Sequence, residues 1–210
     1  ERTTGHRLLR GGVSLGHTFV HELPDIAELR AIGEQVTELV ALTVGKGSII
    51  DRFSGTAVLS QQAARDMGTL GYVARASGIN QDARRDHPFV PMPASFTVIT
   101  DTSGDVLARY RVRAAEIQNS LDIIEGLYQA GADEHQVATP PPVGTPHGAL
   151  HSGVGIVEGW RGRITHRVEI AADGSLARVK IVDPSFFNWP ALTVALADTI
   201  VPDFPLANKS

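Results

Sequence analysis

Cysteine is absent from the 210 residues. Within this stretch that excludes disulfides, zinc ribbons and iron–sulfur clusters held by thiolates. No run approaches the roughly 18 apolar residues that a membrane helix needs, so no direct membrane span is expected. Basic residues are not concentrated either: Lys and Arg total 19 against 23 Asp and Glu, a net charge of −4, with no Lys/Arg run of five. Nucleic acid is therefore not an expected partner. What is present is ordinary globular material, 42% apolar and 20% charged, enough for a core of useful size and, by default, one domain.

Periodicity organises the chain. Pro24 and Asp25 start a helix that reaches about Val44, with Ile26, Leu29, Ile32, Val36, Leu39 and Val40 on one face and Gly45-Lys-Gly47 as its stop. Ser60 caps a short helix to Met67. Residues 75–103 are rich in Gly, Pro, Asp and Arg, show no clear helix, and read as a long irregular segment of the kind that is functional or an interface. The longest helix is expected from Asp105 to Ala130 and carries two stripes. Tyr110, Ala114, Ile117, Leu121, Ile124 and Tyr128 form an apolar one, and Arg109, Arg113, Glu116 and Ser120 a polar one about 100° around the axis. Residues 138–150, with Pro140-Pro-Pro142, read as a stiff polyproline connector. Alternating runs at Arg163–Ile170 and Ser175–Val182 flank Ala171-Ala-Asp-Gly174, a β-hairpin with glycine in its turn. A last helix is expected from Ala191 to Ile200, stopped by Pro202. The fold class expected is mainly α: a helical bundle with a small β-hairpin insertion, one domain over 1–210 with the hairpin subregion at 151–182.

The hairpin's approach holds the most informative pattern, Glu158-Gly-Trp-Arg-Gly-Arg-Ile-Thr-His166, followed after the hairpin by Pro184-Ser-Phe-Phe-Asn-Trp189. Upstream stand Arg10-Gly-Gly-Val13, then Arg75-Ala-Ser-Gly78 with Asp82-Ala-Arg84 and His87-Pro88, then Gly104-Asp105 with Arg109, Arg113, Glu116 and Ser120. In content and order these blocks resemble the large subunit of [NiFe]-hydrogenases and its relative, the 49 kDa quinone-site subunit of respiratory complex I, nearest to the hydrogenase-4-like and formate-hydrogenlyase-like branch. The resemblance implies a central-to-C-terminal fragment of a longer subunit, peripheral on the cytoplasmic side of a membrane complex. Its partners would be an iron–sulfur small subunit and membrane subunits. The implied activity is that of an NADH-quinone oxidoreductase, with electrons delivered to quinone and coupled to proton translocation. The alternatives are a [NiFe]-hydrogenase catalytic subunit and a non-catalytic scaffold. The hydrogenase nickel–iron centre is held by two Cys-x-x-Cys pairs, which this stretch lacks, so no metal and no cofactor is expected in the fragment itself. By itself it is expected to be inactive.

By the same resemblance, Arg161 stands beside the catalytic centre or the quinone chamber; the plainer reading is an arginine tying the hairpin to the bundle through carbonyl contacts. His166 belongs to the same motif and is a candidate proton carrier, its unperturbed pKa lying near ~6.5, or a packed strand residue. Arg75 and Asp82 frame a ligand cavity or meet another part of the subunit. Arg109, Arg113 and Glu116 form either a relay of ionisable groups or a rigid ion-pair network, because two arginines four residues apart repel unless carboxylates stand between them.

Other patterns carry less. Gly153-x-Gly155-x-x-x-Gly159 departs by one residue from a dinucleotide loop and lacks the βαβ context. His17 with His21 and His147 with His151 have helical metal spacing, but lie among loop signals with no third ligand. Asp133-Glu134 sits in a turn without the burial that general-acid work requires.

Overall fold

The computed structural model describes residues 1–8, 10–14, 17–129 and 150–210. The expected polyproline connector, His147 and Asp133-Glu134 fall outside the described residues. In chain order the elements are β1 (Val13–Ser14), β2 (His17–Thr18), α1 (Ile26–Val44), α2 (Gly47–Phe53), α3 (Gln61–Asp66), α4 (Gly71–Ala76), α5 (Ala83–Asp86) and α6 (Val106–Gln129). There follow β3 (His151–Gly159), β4 (Gly162–Ile170), β5 (Leu176–Val182), α7 (Ser185–Ala195), a 3-10 turn at Val201–Asp203 and α8 (Phe204–Lys209).

The expectation of a mainly helical bundle is corrected. Among the described residues the fold is not clearly a helical bundle, because β3, β4 and β5 make a three-stranded antiparallel sheet in that order. The β4–β5 hairpin forms with Gly174 at positive φ in its turn, but a full nine-residue strand pairs on β4's other side, from His151↔Ile170 to Gly159↔Gly162. Gly153, Gly155 and Gly159 hid that strand, since glycine weakens the alternating pattern and β pairing is supplied by the neighbour. Nor do the described helices form a bundle: α2, α3, α4, α5 and α8 have four to seven residues each.

The two long helices pack on each other. Asp25 caps α1 by accepting from Ala27 N–H. Gly33 is buried against Leu121, and Gln118 of α6 donates to the Gly33 carbonyl at 2.8 Å. Tyr128 O–H donates to the Pro24 carbonyl at 3.0 Å. The α1 stripe is only partly covered: Ile32 and Leu39 stay exposed. On α6 the polar stripe turned inward. Arg109 and Glu116 are buried together with Val106, Val112, Asn119 and Ile123, while Tyr110, Ile117 and Leu121 are half-buried.

Residues 75–103 are not helix-free. Asp82 accepts from Arg84 N–H and caps the single turn α5, and Arg75 lies in the last turn of α4. Turns of four to six residues carry too little periodicity to be read from spacing. The final helix starts earlier than expected, at Ser185, carries Pro190 within it and stops at Ala195. Pro190 lies in its second turn, where it removes the hydrogen bond that a residue there would give to the Phe186 carbonyl.

The core joins α3, α4, α6, α7 and α8 through small side chains: Ala57, Leu59, Ala64, Ala74, Val106, Ala191, Ala195 and Ala207 are all buried. Alanine at these positions lets backbones approach closely.

Candidate functional site

Trp160 and Arg161 form the tip between β3 and β4, and the turn rests on the start of α4. Two glycines make the seat. Gly162 has φ 128° and Gly71 φ 63°, and a Cβ on Gly71 would lie 2.3 Å from the Arg161 carbonyl oxygen. Only glycine meets both demands. Asn188 of α7 then clamps the junction: its Oδ1 accepts from Leu70 N–H at 2.9 Å, and its Nδ2 donates to the carbonyls of Leu70 and Arg161 at 3.3 and 3.1 Å. The hairpin is therefore tied down through Arg161's carbonyl. Its exposed guanidinium makes no ion pair among the described residues, though it pulls the nearby Asp183 carboxyl down, after the hydrogen bonds from Ser185.

Arg161 lines a cavity of about 340 Å³ with Tyr72, Arg109, Asn188, Trp189 and Leu192. Arg109 is 5% exposed and has no carboxylate at ion-pair distance among the described residues. It donates instead to the Gly104 carbonyl at 2.7 Å, to the Ala57 carbonyl at 3.1 and 3.2 Å, and through Nε to Ser210 Oγ at 2.9 Å. Its fork thereby holds Ala57 at φ 51°, a left-handed backbone in a non-glycine residue. Burial lowers the Arg109 pKa to about 10, so it remains a cation at neutral pH.

Arg113, one turn along α6, meets a different environment. Its guanidinium lies 5.3 Å from the ring centroids of both Tyr72 and Trp160 and donates to the Lys209 carbonyl at 3.2 Å. This cation–π contact fixes Trp160 beside Arg161.

A second assembly lies behind the turn. Arg75, 1% exposed, donates from Nε to Glu116 at 2.5 Å, from Nη1 to Glu158 at 2.9 Å and to the Gln81 carbonyl at 3.0 Å, with Asp82 at 3.6 Å. Arg84 closes on Asp82 through two nitrogens at 2.9 and 2.6 Å. Burial works against the Arg75 charge, but Glu116 and Glu158 outweigh it and raise the guanidinium's pKa. Burial would also raise Asp82; hydrogen bonds from Arg84 reverse this and hold it below its ordinary value. Glu116 goes the other way, pushed up by burial that Arg75 offsets only in part.

Of the sequence candidates, Arg75, Asp82 and Glu116 meet in one cluster, Arg109 and Arg161 share one cavity, and Arg113 supports the turn. His166 joins none of these. It lies exposed on β4 opposite Gly155 and Ile181, four residues beyond Gly162, about 13 Å along the strand. Two residues gained importance only in three dimensions. Glu158 stood in the Glu-x-x-Arg pattern without a role, and Asn188 in the Asn-Trp segment likewise. The carboxylates of the Arg75 cluster are all committed to guanidiniums, and among the described residues no three His, Asp or Glu side chains gather as a metal ligand set. The described residues therefore do not fit a nickel–iron centre.

Among the described residues no helix is long and apolar enough to cross a membrane. Residues 1–148 match the family of the respiratory-chain NADH dehydrogenase 49 Kd subunit. The chain is 30% identical to NADH-quinone oxidoreductase subunit 4 of Thermus thermophilus, over 94% of its own length and 54% of that protein's. It is 32% identical to the carbon monoxide-induced hydrogenase of Rhodospirillum rubrum, over 82% of the chain and 47% of the relative. The chain thus spans about half the length of these relatives. In fold it is similar to a chain of the membrane-bound sulfane sulfur reductase, an archaeal respiratory membrane complex, with TM-score 0.78, 22% identity, and coverage of 91% of this chain and 55% of the other. With the family's match covering well over half of the sequence, the chain belongs to the family of the respiratory-chain NADH dehydrogenase 49 Kd subunit.

Proposed function

We propose that the chain is part of the large subunit of a membrane-associated, multi-subunit oxidoreductase that delivers electrons to a quinone, coupled to proton translocation by membrane subunits. In this reading it lies peripherally on the cytoplasmic side, beside a small subunit whose iron–sulfur clusters supply the electrons. The relatives' names, NADH-quinone oxidoreductase among them, support the class. The observation that carries the site is the cavity headed by Arg161 and Arg109 over walls of Leu59, Val73, Leu192 and Ala195.

Such a cavity suits a flat apolar ring that bears carbonyl oxygens. The walls exclude water from the ring, and a guanidinium donates to an oxygen whose negative charge grows on reduction. Arg109's nitrogens are occupied by carbonyls and Ser210, so Arg109 contributes field, whereas Arg161 is free to turn its donors to the ligand. The residues present supply no redox centre, and electrons would reach the cavity from outside them.

The test is quinone reduction by the full-length protein purified with its complex, together with nickel content and hydrogen-dependent dye reduction. Arg161→Gln is expected to lower quinone turnover by about 100-fold, the scale of losing one charged donor at a developing oxyanion, with the complex intact. Stoichiometric nickel with hydrogen turnover would sink the quinone reading in favour of a hydrogenase. Unchanged quinone reduction in Arg161→Gln would remove Arg161 from the site.

A further inference from the structure

Behind the turn, three carboxylates (Asp82, Glu116 and Glu158) surround two guanidiniums (Arg75 and Arg84). With every group ionised the cluster carries one excess negative charge. It does so out of water: the side chains of Arg75, Asp82, Glu158 and Glu116 are 1, 1, 5 and 10% exposed, and only Arg84, at 25%, reaches solvent appreciably. The charged groups around it do not correct the balance. Asp86 on α5 is paired with Arg85 and accepts from Asp82 N–H, so that pair is neutral. From α6, Ser120 donates only to the Glu116 carbonyl. Arg163 stands directly opposite Glu158 in the β3–β4 register, but it is exposed and makes no ion pair with Glu158, nor does His87, which lines a small cavity with both. A buried charge without a counter-charge is costly, and a carboxylate relieves that cost by taking up a proton.

Hydrogen bonding indicates which carboxylate. Asp82 accepts three bonds from Arg84, on both of its oxygens. Glu158 accepts from Arg75 on one oxygen and from Ala83 N–H on the other, each at 2.9 Å. Glu116 accepts from Arg75 on Oε1 alone. Protonating Oε2 of Glu116 therefore sacrifices no hydrogen bond. Two cavities border the cluster on its Glu158 side, and Glu116 lines neither. One of about 270 Å³ is lined by Arg84, Ser120 and Glu158, and the other, about 20 Å³, by Asp82, His87 and Glu158. The smaller has room for about one water.

We propose that this cluster is a one-proton site: at neutral pH it holds a single proton on Oε2 of Glu116, exchangeable with water because that side chain, at 10% exposed, is not fully enclosed. The exchange involves no redox step, since a proton arrives from bulk water and returns to it. The upward displacement of the Glu116 pKa by burial points the same way. The site does not depend on which acceptor the complex reduces, and its readout is separate from turnover.

The charge count makes a distinctive demand. Removing any one of the three carboxylates leaves two against two and abolishes the need for the proton. Infrared difference spectra of the intact complex, wild type minus Glu116→Gln, are expected to show one protonated-carboxyl C=O band at pH 7 that shifts in D2O. Wild type minus Glu158→Gln is expected to show the same loss, although Glu116 is still present. A cluster that is ionised throughout gives no such band in either difference spectrum, and that result overturns the proposal. A band lost in Glu116→Gln but retained in Glu158→Gln would overturn the charge-balance argument. If one variant fails to assemble, the other decides alone.

Discussion

Replacing Arg75 by Met tests whether the cluster holds the fold together. Methionine keeps most of the stem's volume and removes the guanidinium, so Glu116 loses its hydrogen-bonded donor and Glu158 keeps only Ala83 N–H. Removing one partner of a buried ion pair costs about 3–5 kcal/mol, because the carboxylates left behind are desolvated and unpaired. Against a total stability of about 5–15 kcal/mol this is a large fraction. With a urea m-value of about 2 kcal/mol/M, a loss of about 4 kcal/mol moves the unfolding midpoint down by about 2 M at constant m. Adding Glu158→Gln to Arg75→Met removes one orphaned charge and is expected to recover at least about 1 kcal/mol. A midpoint shift below about 0.5 M, or no recovery in the double variant, would refute the view that these charges are buried and mutually dependent.

Gly162→Ala places a Cβ 2.7 Å from Gly71 N and 2.8 Å from Leu70 Cβ at φ 128°, so a loss of about 3 kcal/mol or more is expected in thermal unfolding. A fully stable alanine variant would mean that the turn does not sit on α4. Asn188→Ala leaves Leu70 N–H without its acceptor and frees the Arg161 carbonyl, for an expected loss of about 2 kcal/mol; limited proteolysis should then cut the β3–β4 tip faster than in wild type. The pH dependence has two limbs. Asp82 is depressed in the fold, so its contribution is complete above its ordinary 3.8 and is lost as pH falls through the lower folded value. Glu116 is raised, so its contribution is complete below 4.5 and is lost as pH rises through the folded value. Urea midpoints measured against pH should show the second limb flattened in Glu116→Gln and the first weakened in Asp82→Asn.

The elements that announce themselves locally were legible in the sequence. Asp25 and Ser60 cap the helices their positions indicated, because an N-cap is settled by a side chain and two or three neighbouring amides. The β4–β5 hairpin follows from alternation around Gly174. Strand β3 was not legible: its glycines give little β signal, and pairing with β4 makes it a strand. Turn α5 escaped because four residues hold no period.

For the site, sequence alone determined an ordered set of charged and glycine residues, and with them a family. Tertiary structure decided how they were used. Two stripes of equal spacing ran along α6, and the polar one went inward because Arg75, held by α4, offered Glu116 a buried hydrogen-bond donor, and the carbonyls of Ala57 and Gly104 took up Arg109. Arg161 and His166, five positions apart, were carried away from each other because a strand extends what a helix would bring round. Glu158 and Asn188 become functional candidates only through partners 83 and 118 residues distant in the chain, Arg75 and Leu70. Spacing along a sequence encodes local geometry; contacts over such separations depend on how the sheet and the alanine-lined helices dock.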